Sequence, residues 1–340
     1  MKAARLHHYG EPFKVEEADE PRLGGPHDII VRAAACGLCR TDLHIIDGML
    51  EPFGVRLPYT PGHETAGWVE QVGSEVGAVR PGDPVLVNPN DSCGLCPPCR
   101  LGLDTYCESV RMPGFTADGG FAQYLLTSER GVVRLPAGVS PADIAPHADA
   151  GLAAYHAVKK AAGALGAGDS AVVLGAGGLG HIAVQLLNHL TPADIIAVDL
   201  SEEALGLARE LGANHAVQGG PAAVDSVRDI SGGGARAVID FVGDGDAPGQ
   251  AVAMLRSGGA YYLVGYGGQL DFPAATIVAN ELTIVGNLVG THAELEELVA
   301  LAAAGKVSLR TRRYPLDDIN AAVEDLRNGR IVGRAVIQPS

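Results

Sequence analysis

Four cysteines fall at Cys93, Cys96, Cys99 and Cys107, a C-x2-C-x2-C-x7-C run inside DSCGLCPPCRLGLDTYC. Four thiolates at this density suit tetrahedral Zn2+, with Zn–S distances of about 2.3 Å. Gly94, Pro97, Pro98 and Gly102 supply turns that let the backbone curl around an ion. A four-thiolate shell leaves no position for substrate, so a zinc held here is structural. Disulfides in a secreted chain are a competing explanation, but MKAARLHHYGEPFKVEE lacks the apolar stretch of a signal peptide. A zinc ribbon on nucleic acid is another, and a net charge of −15 opposes a phosphate backbone.

Two further segments are chemically loaded: Cys36-Gly-Leu-Cys39-Arg-Thr41-Asp42-Leu-His44 and Pro61-Gly62-His63-Glu64. Cys36 and Cys39 make a C-x2-C, but no second pair is left to complete another ribbon. Cys39 with His63 offers two ligands suited to zinc. A catalytic zinc needs a third protein ligand and an open position. Further on, Gly175-Ala-Gly177-Gly178-Leu179-Gly180 is a G-x-G-x-x-G that follows an apolar run and opens an amphipathic one. Gly175 permits the tight turn, Gly177 the approach of a pyrophosphate, and Gly180 close helix–strand packing. The helix N-terminus then offers free N–H groups to the phosphates. Asp199 lies nineteen residues after Gly180. A carboxylate there accepts from the adenosine ribose hydroxyls and repels a 2′-phosphate, which predicts NAD over NADP.

GLCRTDLH, PGHE, the four-cysteine lobe and GAGGLG occur in that order. Order and separations resemble the zinc-dependent alcohol dehydrogenases of the medium-chain dehydrogenase/reductase superfamily, over essentially the whole chain. The resemblance implies an α/β protein: a β-rich GroES-like catalytic domain plus a Rossmann domain with a doubly wound parallel sheet. It implies that Cys39 and His63 bind a catalytic zinc. The third ligand matches Asp149, where many relatives have cysteine; His147 and Glu64 are the alternatives, and the bland role for Asp149 is a helix cap. This substitution is similar to bacterial secondary-alcohol dehydrogenases. The resemblance further implies a proton path from Thr41 to His44, Asp42 fixing the His63 tautomer, and Arg334 at the cofactor pyrophosphate. Zinc lowers the pKa of a bound hydroxyl, which prepares an alcohol for hydride transfer to NAD. The expected function is NAD-dependent interconversion of alcohols, secondary ones first, with ketones or aldehydes, using two Zn2+ per subunit. A polyol- or aldehyde-specific zinc dehydrogenase is the alternative within the class. A catalytically silent dinucleotide-binding protein is the alternative outside it.

These groups need a frame. The first 150 residues carry short apolar runs between Gly/Pro turns, such as 29–36, 67–73 and 84–89, which predict strands. From 151 the pattern alternates: helix 151–161, strand 171–175, helix 178–190, strand 194–200, helix 201–212. Strand 237–243, a helix near 248–256 and strand 260–266 follow. Alternating β and α predicts a parallel sheet covered on both faces. A helix at 292–305 and a strand at 334–338 return the tail to the first domain. The expected domains are 1–150 with 287–340, carrying the zinc lobe at 91–110, and 151–286.

The chain has 340 residues, of which 47% are hydrophobic, enough to fill two cores. Forty acidic against 25 basic side chains disfavour nucleic acid and anionic membrane as partners. No stretch holds 18 unbroken apolar residues, so no transmembrane helix is expected. Clustered cysteines that bind metal fit a reducing cytoplasm. The resemblance implies a homo-oligomer, tetramer or dimer, acting on a small-molecule alcohol or ketone.

Overall fold

The computed structural model of the protein describes residues 1–339. The chain forms two compact units. One comprises Met1–Leu152, Thr291–Ala304 and residues 309–339; the other comprises Ala153–Gly290 and Gly305–Ser308.

The second unit is built on six parallel strands. Their order across the sheet is His215–Gln218, Asp194–Asp199, Ser170–Leu174, Ala235–Asp240, Leu255–Leu263, Thr283–Gly286. In chain order this is 3-2-1-4-5-6, the doubly wound arrangement of dinucleotide-binding folds. The central strands are near-continuous runs of buried Val, Ile, Ala and Leu, as a sheet covered on both faces requires. Val172, Ile196, Val198, Val238 and Tyr261 share one core with Val227 and Val252 from the helices that cover it. Strand direction reverses its progress between Ser170–Leu174 and Ala235–Asp240. The carboxyl ends of strands at such a switch point form the ligand crevice of this architecture.

The first unit carries a seven-stranded sheet. Thr311–Pro315, Arg334–Gln338, Asp28–Leu38, Glu64–Val72, Pro84–Val87 and Val132–Arg134 lie side by side in that order, and Tyr124–Ser128 also pairs with Asp28–Leu38. All pairings are antiparallel except Thr311–Pro315 with Arg334–Gln338. Strand Asp28–Leu38 is the organiser. It touches Arg334–Gln338 on one side and Glu64–Val72 on the other, with Gly37 opposite both Val336 and Glu64. Three chemically loaded segments, more than 250 residues apart in sequence at the extremes, therefore meet at one end of one strand.

Elements absent from the sequence-based expectation include the short strands His215–Gln218, Thr283–Gly286 and Thr311–Pro315 and the helices Arg40–Ile46, Ala223–Ile230, Ala274–Ala279 and Ile319–Arg327. The helix expected from 178 starts at Gly180, because Gly177, Gly178 and Leu179 are spent on the turn.

Candidate active site

Strand Asp28–Leu38 runs directly into Cys39, which is the N-cap of helix Arg40–Ile46. The Asp42 carboxylate accepts from the Cys39 N–H at 2.8 Å and closes a capping box, which fixes the orientation of the thiol. His63 immediately precedes the neighbouring strand, which Glu64 begins. Gly62 precedes them at φ +100, where a Cβ would lie 2.7 Å from the Phe121 nitrogen, so only glycine makes this corner. Asp149 sits between the turn Ala145–Ala148 and helix Ala150–Ala162.

Donor atoms of Cys39, His63, Glu64 and Asp149 all lie within 4.8 Å of one another. Asp149 Oδ2 is 3.4 Å from His63 Nε2 and 3.9 Å from Cys39 Sγ. Both ring nitrogens of His63 are buried without a hydrogen-bond partner, an arrangement that costs free energy unless a cation or another ligand completes it. One thiolate, one imidazole and one carboxylate leave a fourth position open, the donor set of a catalytic rather than a structural zinc. The residues present fit the metal. Burial opposes a charged His63, but Asp42 and Asp149 outweigh it and raise its pKa well above the ordinary value. Burial works to raise the Asp149 carboxyl, yet its contact with His63 holds it below the usual carboxylate range.

Glu64 is engaged elsewhere. It is fully buried and paired with Arg334, itself buried, through Nε to Oε2 at 3.0 Å and through Nη2 to Oε1. Oε1 also accepts from the Ala150 N–H at 3.0 Å, the residue after Asp149. A Cβ on Gly37 would fall 1.8 Å from Glu64 Oε2, so glycine opens the space this carboxylate occupies. Burial pushes the Glu64 carboxyl up against the pull of Arg334, whose guanidinium the surrounding acids hold charged. The expectation for Arg334 was a pyrophosphate contact. The structure commits two of its N–H groups to Glu64, a pairing across 270 residues that sequence spacing did not reveal. A cation opening the apolar strand RAVIQ was the available signal of a buried partner.

Asp42 Oδ1 lies 3.5 Å from His63 Nδ1, facing it but beyond a good hydrogen bond. Thr41 and His44 are three apart on helix Arg40–Ile46, hence neighbours on one face. His147, the rival for third ligand, is buried against Gly151 instead, and lies outside the donor cluster.

The four-cysteine lobe has a different character. Cys93, Cys96, Cys99 and Cys107 bring their sulfurs within 4.8 Å of one another, and all six cysteines are free thiols. Cys93 Sγ accepts from the N–H groups of Leu95 and Cys96, each at 3.4 Å, which lower its pKa to about 6. Cys107 Sγ accepts from Cys93 and Ser109 at 3.3 and 3.4 Å. Burial raises Cys99 to about 12. Backbone donors aimed at sulfur stabilise thiolates, and four thiolates fit a closed zinc site. Cys36 stands apart from both clusters: it accepts from the Thr65 hydroxyl at 3.4 Å, and burial pushes its thiol up to about 12.

In the second unit the glycine loop lies at the carboxyl end of Ser170–Leu174. Gly175 has φ +89, and a Cβ on Gly180 would sit 1.9 Å from the Gly175 oxygen. At Gly177 a Cβ would meet nothing within 4 Å, so packing does not demand glycine there. Such free space beside N–H groups at a helix start suits a phosphate. Asp199 accepts from Ala176 N–H at 2.7 Å and Ser201 N–H at 2.8 Å, joining the loop to the second strand. Ser201, not Asp199, caps the following helix. A carboxylate has about four acceptor sites, so Asp199 keeps capacity for ribose hydroxyls.

A GroES-like unit with two zinc-type donor clusters, in one chain with a dinucleotide-binding unit, defines a zinc-dependent medium-chain dehydrogenase. Comparisons with known proteins agree. Residues 25–137 match the alcohol dehydrogenase GroES-like domain family and residues 178–304 the zinc-binding dehydrogenase family. The crystal structure of the alcohol dehydrogenase from Aeropyrum pernix superposes with a TM-score of 0.97 at 45% identity, covering 100% of both chains. An NAD-dependent alcohol dehydrogenase of Sulfurisphaera tokodaii is 36% identical over 350 residues, covering 100% of both. An alcohol dehydrogenase of Rhizobium meliloti is 37% identical, covering 99% of this chain and 98% of its own. The chain belongs to the zinc-dependent alcohol dehydrogenases of the medium-chain dehydrogenase/reductase superfamily.

Proposed function

We propose that the protein interconverts alcohols, secondary ones first, with ketones or aldehydes, using NAD, one catalytic and one structural zinc. The observation that carries this is the Cys39–His63–Asp149 cluster, whose buried imidazole makes no hydrogen bond and is flanked by carboxylates at 3.4 and 3.5 Å. When bound, zinc supplies a Lewis acid toward a hydroxyl or carbonyl oxygen, and NAD supplies the hydride acceptor.

The chain's own residues do the rest. Cys39, His63 and Asp149 hold the metal, and replacing a thiolate by a carboxylate makes it a harder Lewis acid. Asp42 faces the imidazole and orients it. The Thr41 hydroxyl accepts the alcohol proton while giving its own onward, and the His44 imidazole carries the proton to solvent. Glu64, clamped by Arg334, fixes the backbone beside Asp149 rather than serving as a ligand. Gly175, Gly177, Gly178, Leu179 and Gly180 present N–H groups to the pyrophosphate, and Asp199 accepts from the ribose hydroxyls, which selects NAD. Remaining N–H groups of Arg334 are the donors available for the phosphate role. The aspartate ligand supports the secondary-alcohol preference.

A homo-oligomer, tetramer or dimer, is supported by the free edge of strand Thr283–Gly286 and by Val278 and Leu288, 76% and 62% exposed beside it. Six free thiols support a reducing, cytoplasmic setting. Among the described residues, no helix is long and apolar enough to cross a membrane. Purified zinc-loaded protein with NAD+ and 2-butanol should produce NADH, followed by absorbance. No NADH from any primary, secondary, cyclic or aryl alcohol, with two zincs bound, contradicts the proposal.

A further inference from the structure

A buried path joins the four-cysteine lobe to the segment carrying Asp149. Asp104 lies on the turn Asp104–Tyr106, between Cys99 and Cys107, and the Cys107 N–H donates to the Asp104 carbonyl at 3.0 Å. The Asp104 side chain is buried, and both its oxygens accept from the His292 N–H, at 3.0 and 3.1 Å. His292 is the first residue of helix His292–Ala303. That helix already has its own capping box, in which the Thr291 hydroxyl accepts from Glu294 N–H and Glu294 accepts from Thr291 N–H. Asp104 is therefore a second anion on the same end, supplied by the lobe and placed where the helix dipole favours it.

Less than two turns along, the same helix meets the other centre. Leu298 is fully buried against Gly151. A Cβ on Gly151 would fall 2.9 Å from Leu298 Cδ2 and 2.3 Å from His147 Nδ1. Helix His292–Ala303 thus packs its Leu298 side chain against the backbone two residues after Asp149, where His147 closes the other side.

We propose that Asp104 is a positioning residue through which the four-cysteine lobe holds Asp149 in register for the catalytic metal. The lobe sets Asp104, Asp104 sets the helix end, and Leu298 sets the Gly151 backbone. Sub-ångström placement matters there, because the donors of an open metal site must converge before the ion arrives. The proposal rests on Cys39, His63 and Asp149 being a metal centre.

The test uses full-length, zinc-loaded protein with three variants: Asp104→Ala, Asp104→Asn, which keeps an acceptor for His292, and Gly151→Ala, which leaves the lobe untouched. Zinc per chain is measured against graded chelator, and Co2+ substituted into the weaker site is read by its visible absorption. Asp104→Ala and Gly151→Ala should each release the catalytic zinc at about tenfold lower chelator, the size seen when groups supporting metal ligands are lost. The four-thiolate zinc should stay bound, the Co2+ spectrum should shift, and Asp104→Asn should recover part of the loss. If Asp104→Ala lowers thermal stability while chelator dependence and Co2+ spectrum match the parent, Asp104 is only a cap and the proposal fails. Should Asp104→Ala not fold, Gly151→Ala with a parental chelator profile overturns it equally. Asp149→Ala separates this outcome from failure of the underlying site: if that variant keeps two zincs, the metal centre itself is misassigned.

Discussion

The two cysteine-containing clusters of the first unit satisfy their atoms in opposite ways. In the lobe, the Cys93 and Cys107 sulfurs accept from the N–H groups of Cys93, Leu95, Cys96 and Ser109, all from the same short stretch of chain. In the other cluster the donor groups come from three separate stretches, and neither His63 nitrogen makes a hydrogen bond. Order there is imposed from behind, by Asp42 on Cys39 and by Glu64 with Arg334 on the backbone after Asp149. A closed site builds its own scaffold, whereas an open site borrows one and leaves its working face unpaired. The glycine loop repeats the contrast on a smaller scale: Gly180 is demanded by packing and Gly177 is not.

The sharpest way to break this contrast is to remove an open-site ligand. Cys39→Ser should lower kcat by roughly 10³-fold or more, as expected for loss of the main charge-stabilising group, while the lobe keeps its zinc. Cys99→Ser should instead lower thermal stability and release the lobe zinc. If the lobe positions Asp149, Cys99→Ser should also weaken the second zinc. Such coupling is reciprocal, but four thiolates bind tightly enough that losing the catalytic ion leaves the lobe saturated. Cys99→Ser with parental stability, or without turnover although its catalytic zinc is fully bound, would erase the distinction.

Next in size is the borrowed scaffold. Glu64→Gln leaves the buried Arg334 guanidinium without the carboxylate it is paired with and should destabilise the protein by about 3–5 kcal/mol, read from urea unfolding. A loss below about 1 kcal/mol would mean the pair does not hold the site. Asp199→Ser should raise KM for NAD by about tenfold, the worth of a hydrogen bond to a charged group, and improve use of NADP; unchanged NADP kinetics would remove Asp199 from cofactor selection. The smallest effects separate the glycines. Gly180→Ala should cost about 1–3 kcal/mol through overpacking. Gly177→Ala should leave stability within about 0.5 kcal/mol yet weaken NAD binding in a titration of NADH fluorescence. Equal losses of stability would show that packing fixes both.

Local features were legible in the sequence. The four-cysteine spacing and the glycine loop between an apolar run and an amphipathic one carry their chemistry within a few residues. Runs such as AVVL and IIAV announced buried parallel strands because nothing polar interrupts them. Asp149 came from resemblance, not from spacing. What stayed hidden depends on register. Glu64 with Arg334 and Asp104 with His292 pair across 270 and 188 residues, and only strand and helix placement brings them together. Strand Thr283–Gly286 escaped notice because four partly exposed residues at a sheet edge lack the buried run that marks its neighbours. Helix Arg40–Ile46 was obscured by its chemically loaded residues, whose roles are clearer than their periodicity.

The zinc content of Asp149→Ala tests the central claim most directly. With the fold confirmed by circular dichroism, the parent should hold two zincs per chain and the variant one, retained on the four cysteines, with turnover lost. Two zincs and parental turnover in the variant would contradict the assignment of Asp149 as the third ligand of the open site.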